Sequence, residues 1–254
     1  RALGAEVGGF FGRVHREEGV NLRTGVGVVS FERAGDATVV VDAAGGRHEG
    51  DVVVVGAGIR PSVGLAREAG LDVERGILVD AALRTADPAI WAAGDAAEAF
   101  HPYLGRHQHI EHWAFALNSG RAAGQSMAGQ DVTFDRVPYF FTDQYDVGME
   151  FSGTTDTYDR VVFRGDPNGR EFIAFWLSGD SVVAGMNVNV WDVTDPIQSL
   201  IRAGAHGAGA KDGAVAGTGA GAGTGAGAGM GAGAAPVDLD RLTDPAIPLA
   251  DLTP

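Results

Sequence analysis

The sequence predicts an α/β protein with parallel strands, followed by a small α+β domain with an antiparallel sheet. Residues 51–55 form an uninterrupted apolar run, typical of a strand buried in a parallel sheet. Residues 114–128 carry apolar side chains at helical spacing. After Val147, short alternating segments are separated by Gly, Asp, Pro and Asn turns, which indicates antiparallel strands joined by hairpins.

Shorter elements precede and connect these segments. The apolar spacing of residues 5–18 predicts a helix that ends at Gly19, a residue suited to the C′ position. Asp166-Pro167-Asn168-Gly169 is a strong hairpin-turn signal. The remaining predicted elements are helices at 63–69 and 196–202 and strands at 20–22, 26–31, 38–41, 77–80, 147–151, 160–164, 172–177 and 181–186.

Composition narrows the possible functions. The chain has 254 residues, enough for one or two domains with a core, and a net charge of −14, which argues against a nucleic-acid-binding surface. An arginine-rich stretch at 13–33 is interpreted as a solvated face. No apolar run is long enough to span a bilayer, so we expect a cytoplasmic protein with no membrane partner. The absence of cysteine excludes disulfides, cysteine zinc sites and a redox-active cysteine pair within this chain.

The most informative stretch runs from Thr85 to Asp95 and reads T-A-D-P-A-I-W-A-A-G-D. Asp87-Pro88 predicts a turn, and the apolar residues 90–93 fit a short buried strand that Gly94 ends. A carboxylate directly after such a strand lies where α/β sheets place ligands. An ionised carboxylate only accepts hydrogen bonds, so Asp95 suits the hydroxyls of a sugar or ribityl chain.

This stretch resembles the second flavin-binding motif of flavoprotein reductases with two dinucleotide-binding domains. Three further motifs narrow the resemblance: Glu111-His112-Trp113, the segment 138–144 and Asp195-Pro196-Ile197. Together they are similar to the ferredoxin/rubredoxin-reductase type, whose relatives include apoptosis-inducing factor. The resemblance covers residues 1–202 and the tail after 236. It implies FAD and NAD(P)H as cofactors and a ferredoxin- or rubredoxin-like electron carrier as partner.

The resemblance also implies which residues contact the flavin. Gly94 and Asp95 would hold the ribityl chain, and the backbone at His112 and Trp113 would contact the flavin pyrimidine. A helix starting there presents free N–H groups and the positive end of its dipole, which would stabilise a reduced flavin. The alternative for Trp113 is a plain core residue.

Three other residues are assigned to the nicotinamide side by the same resemblance. Glu111 would lie near the nicotinamide, and Phe141 stands where relatives commonly carry tryptophan. Gly58 belongs to Gly56-Ala57-Gly58-Ile59-Arg60-Pro61, a turn that would let the backbone approach the dinucleotide. A simple strand-to-helix turn is the alternative. No protein acid or base is needed for hydride transfer, so no catalytic side chain is assigned.

A histidine-rich stretch precedes the predicted helix. In a strand, His107, His109 and Glu111 would share one face, so a metal site is imaginable. The spacing fits none of the usual zinc patterns. We therefore predict no metal and interpret His107 and His109 as part of a solvated strand.

The resemblance divides the chain as follows: the second half of an NAD(P)-binding domain at 1–58, the C-terminal part of an FAD-binding domain at 59–134, a reductase C-terminal domain at 135–202, a flexible Gly/Ala-rich linker at 203–235 and a docking tail at 236–254. Neither G-x-G-x-x-G dinucleotide loop is present. We expect both upstream of Arg1, and we expect this chain alone to be inactive. The alternative function is a non-catalytic partner-binding module on the same fold.

Overall fold

The computed structural model describes residues 3–208 and 236–252, which form two compact units that meet in sequence at Arg60 and Pro61. The first unit begins with a helix that buries Val7, Phe10 and Val14, at the spacing expected for one helical face. The elements of this unit are α1 (Gly4–Glu17), β1 (Val28–Ala34), β2 (Ala37–Asp42) and β3 (Arg47–Gly50). The three strands form an antiparallel sheet of order β1-β2-β3.

Two strands predicted for this unit do not form. Residues 51–55 belong to no strand, and Val52 and Val54 are 80% and 89% exposed. Residues 20–22 are also outside any strand. Apolar composition favours a strand only where a neighbouring strand supplies hydrogen bonds and cover, and no strand among residues 3–208 and 236–252 pairs with either segment. Strand β3, which is polar and short, was not predicted.

The second unit opens with a small sheet of order β4-β5-β6, in which β4 and β5 are parallel and β5 and β6 antiparallel. The core around it includes Val79, Leu83, Ala97 and Phe115. The predicted helices at 63–69 and 114–128 are confirmed within a residue or two. The elements are α2 (Gly64–Glu68), β4 (Ile77–Val79), a 3₁₀ turn (Gly94–Ala96), β5 (Ala97–His101), β6 (Arg106–His109) and α3 (Trp113–Met127).

The strand predicted at residues 90–93 is wrong. Only an isolated bridge joins Arg84 to Trp91, and Ile90 is 36% exposed. The run still packs inward through Ala92, which is buried, and Trp91 donates from Nε1 to Ser126 Oγ at 2.9 Å. The segment is therefore an extended loop anchored to α3.

A five-stranded antiparallel sheet of order β7-β8-β11-β10-β9 follows. The predicted strands after Val147 are confirmed, and the predicted turn at 166–169 joins β9 to β10. The helix predicted at 196–202 starts at Thr194 and continues to Ala208, into the segment assigned to the linker; residues 209–235 lie outside the described residues. The elements are β7 (Tyr139–Gln144), β8 (Val147–Gly153), β9 (Arg160–Asp166), β10 (Glu171–Ser178), β11 (Ser181–Val188), α4 (Thr194–Ala208), α5 (Leu239–Thr243) and a 3₁₀ turn (Leu249–Leu252).

The segment 236–252 packs on this antiparallel domain. Leu242 and Leu249 are buried in one cluster with Ile197 and Leu200 of α4, and Leu239 packs against its edge. The segment thus shares a core with the sheet, although residues 209–235 separate it from α4 in sequence.

Candidate cofactor site

The turn at Gly94 and Asp95 is held against helix α3. Gly94 has φ +64°, a conformation that favours glycine, and a Cβ built there would lie 3.5 Å from Ala116 Cβ. The Gly94 N–H donates to Oγ of Ser119 at 2.9 Å, and Ser119 is fully buried. The position of Asp95 is therefore fixed by the helix behind it.

The carboxylate of Asp95 is available to a ligand. Its side chain is exposed, and no donor in the described residues forms a hydrogen bond or ion pair with it. Its backbone carbonyl, in contrast, lies 2.9 Å from Nε2 of His109. The turn thus presents an unused acceptor on a fixed backbone.

Helix α3 begins beside this turn. His112 is its N-cap residue, with an extended backbone, and no side chain caps the first turn. The first N–H groups of a helix have no partner within the helix, and they lie at the positive end of its dipole. Trp113, the first helical residue, is 72% exposed, so the alternative of a core tryptophan is wrong.

His112 connects the start of α3 to strand β7. Its ring lies 4.8 Å from that of Phe140 and is close to the backbone of Tyr139. Burial lowers the pKa of His112, against the opposing effects of the Tyr139 backbone and of the charges of Asp95 and Glu111. A neutral imidazole is therefore favoured at the helix start.

A half-buried carboxylate on the neighbouring strand β8 also fixes strand β7. Glu150 accepts hydrogen bonds from Tyr139 Oη at 2.6 Å, Asn187 Nδ2 at 3.0 Å and Thr194 Oγ1 at 2.9 Å. Burial disfavours its charge, but these three bonds outweigh burial and lower the pKa of Glu150. The network ties β7 and β8 to β11 and to the start of α4.

Five predicted site residues come together in the second unit: Gly94, Asp95, Glu111, His112 and Trp113. Phe141 lies on β7, the edge strand next to α3, and is 53% exposed. The ring of the neighbouring residue, Phe140, contacts that of His112. Gly58 belongs to the first unit, where it has φ +95° and open space around the position of a Cβ.

Two supporting residues were missed by the sequence reasoning. His109 was interpreted as solvated, but its side chain is only 3% exposed. Ser119 was not singled out, although it lies at i+4 from Phe115, on the apolar face of α3, and a polar residue there needs a partner. His107 is exposed, as predicted. Within residues 3–208 and 236–252, no group of three or more His, Cys, Asp or Glu side chains is placed to hold a metal ion.

The geometry fits the flavin end of FAD. An unused carboxylate suits ribityl hydroxyls, an uncapped helix start suits an anionic ring system, and an exposed tryptophan offers an aromatic face. The described residues would hold the cofactor at Asp95 and at the first N–H groups of α3.

Comparison with known proteins places the chain in a family. A family model for pyridine nucleotide-disulphide oxidoreductases matches residues 1–120, and one for the reductase C-terminal domain matches residues 139–216. The chain therefore belongs to the pyridine nucleotide-disulphide oxidoreductase family. The relatives that the chain matches include ferredoxin reductases.

The chain is 40% identical over 206 residues to the ferredoxin–NAD(+) reductase component of the anthranilate 1,2-dioxygenase system of Burkholderia cepacia, covering 81% of this chain and 51% of that protein. Human apoptosis-inducing factor 3 is 31% identical over 159 residues, covering 61% and 26%. A solved structure of the covalent putidaredoxin reductase–putidaredoxin complex aligns with a TM-score of 0.79 at 30% identity, covering 97% of this chain and 52% of that one.

The chain spans about half the length of the curated bacterial reductases it matches. The predicted resemblance to the ferredoxin/rubredoxin reductases is confirmed, as is the fold class of α/β units followed by an antiparallel domain. Across the ranges that the structure describes, none of the helices combines the length and the apolar character needed to cross a membrane.

Proposed function

We propose that the protein is an FAD-dependent oxidoreductase that passes electrons from NAD(P)H, through its flavin, to a ferredoxin- or rubredoxin-like carrier. The observation that carries this proposal is the unused carboxylate of Asp95, fixed beside the uncapped start of α3. The relatives' names support the choice of substrate and partner, because one is a ferredoxin–NAD(+) reductase and another is seen joined to putidaredoxin.

Each residue has a binding role in this proposal. Asp95 accepts hydrogen bonds from ribityl hydroxyls, and the N–H groups at Trp113 and beyond face the flavin pyrimidine. Glu111 and Phe141 line the nicotinamide side, and Gly58 allows close backbone approach to the dinucleotide. Bound FAD supplies the hydride and electron-transfer chemistry, so the protein's task is to bind and orient.

The proposed electron carrier would have to dock on an acidic chain, because the net charge of this chain is −14. Ferredoxin-type carriers are commonly acidic, so docking requires a locally basic surface or one dominated by apolar contact. We also propose a cytoplasmic location, where NAD(P)H is supplied; fractionation of cells that produce the protein tests this.

The first experiment uses the complete gene product that contains this chain. The purified protein is expected to show flavin absorbance and to reduce a ferredoxin or rubredoxin with NADH or NADPH. Asp95→Ala removes a charge-assisted hydrogen bond worth about 1.5–3 kcal/mol, so the dissociation constant for FAD should rise about 10- to 100-fold.

The matched control is Asp131→Ala, which removes an exposed carboxylate of the same unit that has no hydrogen bond in the described structure. Its FAD affinity should equal that of the wild type. An unchanged affinity in Asp95→Ala would contradict the placement of the flavin.

The second candidate is a partner-binding module without redox activity, favoured by the similarity to apoptosis-inducing factor 3. A complete protein that folds but is colourless and leaves NADH unoxidised would support it. The 254-residue chain should be assayed alongside, since we propose that it is inactive alone without the two dinucleotide loops.

A further inference from the structure

His109 occupies a buried position between the two carboxylate-bearing segments of the site. Its location is set by the sheet, because β6 pairs with β5 and His109 lies opposite Glu98. Its ring reaches the Asp95 carbonyl oxygen, which lies 2.9 Å from Nε2. A carbonyl oxygen only accepts hydrogen bonds, so Nε2 must carry a proton.

The other ring nitrogen faces Glu111. Nδ1 is buried and forms no hydrogen bond within the described chain, yet it lies 3.5 Å from Oε1 of Glu111. With the proton on Nε2, a neutral ring directs a lone pair at the carboxylate, whereas an imidazolium directs an N–H at it. The contact is attractive only in the second state, and the Glu111 side chain is 37% exposed.

We propose that His109 is a positioning residue that fixes the Glu111 carboxylate relative to the Gly94–Asp95 turn. In this proposal both ring nitrogens carry a proton, so that Nε2–H holds the turn through the Asp95 carbonyl and Nδ1–H attracts the Glu111 carboxylate. If the proposed function holds, one ring sets the spacing between the ribityl-binding carboxylate and the nicotinamide-side carboxylate. The geometry thereby gives a buried histidine, outside the predicted site, two separate contacts with it.

The two contacts can be removed one at a time. In His109→Gln the longer amide side chain places its N–H₂ group near the former Nε2, so the variant keeps a donor for Asp95 and loses the contact with Glu111. In His109→Asn the shorter side chain places its amide near the former Nδ1, and the bond to Asp95 is lost. Losing one hydrogen bond changes an equilibrium constant by about three- to tenfold.

The test compares KM for NAD(P)H with the dissociation constant for FAD, both measured on the complete gene product. His109→Gln should raise KM for NAD(P)H about three- to tenfold with kcat and FAD affinity little changed. His109→Asn should weaken FAD binding by a similar factor. His107→Gln, at an exposed position of the same strand, is the matched control and should change neither constant. Constants that move together in both variants, or in neither, overturn the proposal.

A second measurement needs no cofactor and separates this inference from the proposed function. In the ¹⁵N-labelled 254-residue chain, Glu111→Gln should change the chemical shift of His109 Nδ1 and leave Nε2 nearly unchanged. An unchanged Nδ1 shift overturns the contact with Glu111 even if the protein proves to be a reductase. A wild type that binds no flavin refutes the proposed function, while the Nδ1 result still decides the contact.

Discussion

Hydrogen bonds from Arg164 hold the C-terminal segment, residues 236–252, on the antiparallel domain. It lies on β9 and is only 8% exposed, and its guanidinium donates to three backbone carbonyls of that segment. The bonds run to Leu242 at 3.3 Å, to Pro245 at 3.4 Å and to Ile247. Burial lowers its pKa despite the nearby charge of Asp244. Replacement by methionine keeps an apolar stem and removes every donor.

The expected loss follows from these bonds. A hydrogen bond to a charged group contributes about 1.5–3 kcal/mol, but two of the three are longer than ideal. Only the Leu242 carbonyl belongs to a fully buried residue, so the other two can regain water. Removing the cation also relieves the cost of burying it. We expect Arg164→Met to lower the free energy of unfolding by about 2 kcal/mol.

The assay is urea unfolding of the 254-residue chain combined with limited proteolysis. Arg67→Met, at an exposed position of α2, is the control and should stay within about 0.5 kcal/mol of the wild type. Cleavage within residues 236–252 should accelerate in Arg164→Met before the sheet unfolds. Equal unfolding midpoints and equal cleavage rates in the two variants would refute the role of the three carbonyl bonds.

Two further predictions concern the same domain. Hydrogen bonds lower the pKa of Glu150, so its contribution to stability is present above the usual glutamate pKa of about 4.3 and is lost as pH falls through the lower pKa of the folded state. Between about pH 6 and about pH 3, the free energy of unfolding should therefore fall less steeply in Glu150→Gln than in the wild type. Equal slopes for the two proteins would contradict this. Gly153→Ala should cost about 2–4 kcal/mol, because φ is +101° and the new Cβ would lie 2.3 Å from the Val183 carbonyl oxygen. Gly179→Ala is the control, because Gly179 has φ +57° and open space around the position of a Cβ. It should lose only the smaller part of the free energy of unfolding that comes from backbone strain, and thermal melts of both variants measure the difference.

The strength of the local sequence signal explains which elements were predicted. Helix α3 and strands β8 to β11 were predicted correctly, because their signals, apolar periodicity and turn residues, each lie within a few neighbouring positions of the sequence. Residues 51–55 and 90–93 have the composition of strands but no strand partner in the described chain. A strand depends on hydrogen bonds to a distant segment, and composition alone does not supply them.

The site shows the same division. The sequence by itself determined the residue types that the proposed flavin site uses, the glycine before Asp95 and the helix that begins near Trp113. Only the tertiary structure decided that Ser119 fixes Gly94, that Phe140 and not Phe141 contacts His112, and that His109 is buried between Asp95 and Glu111. Some of those contacts join residues that are distant in sequence, and others depend on which side chains the fold buries. A local sequence pattern specifies neither the long-range pairing nor the burial.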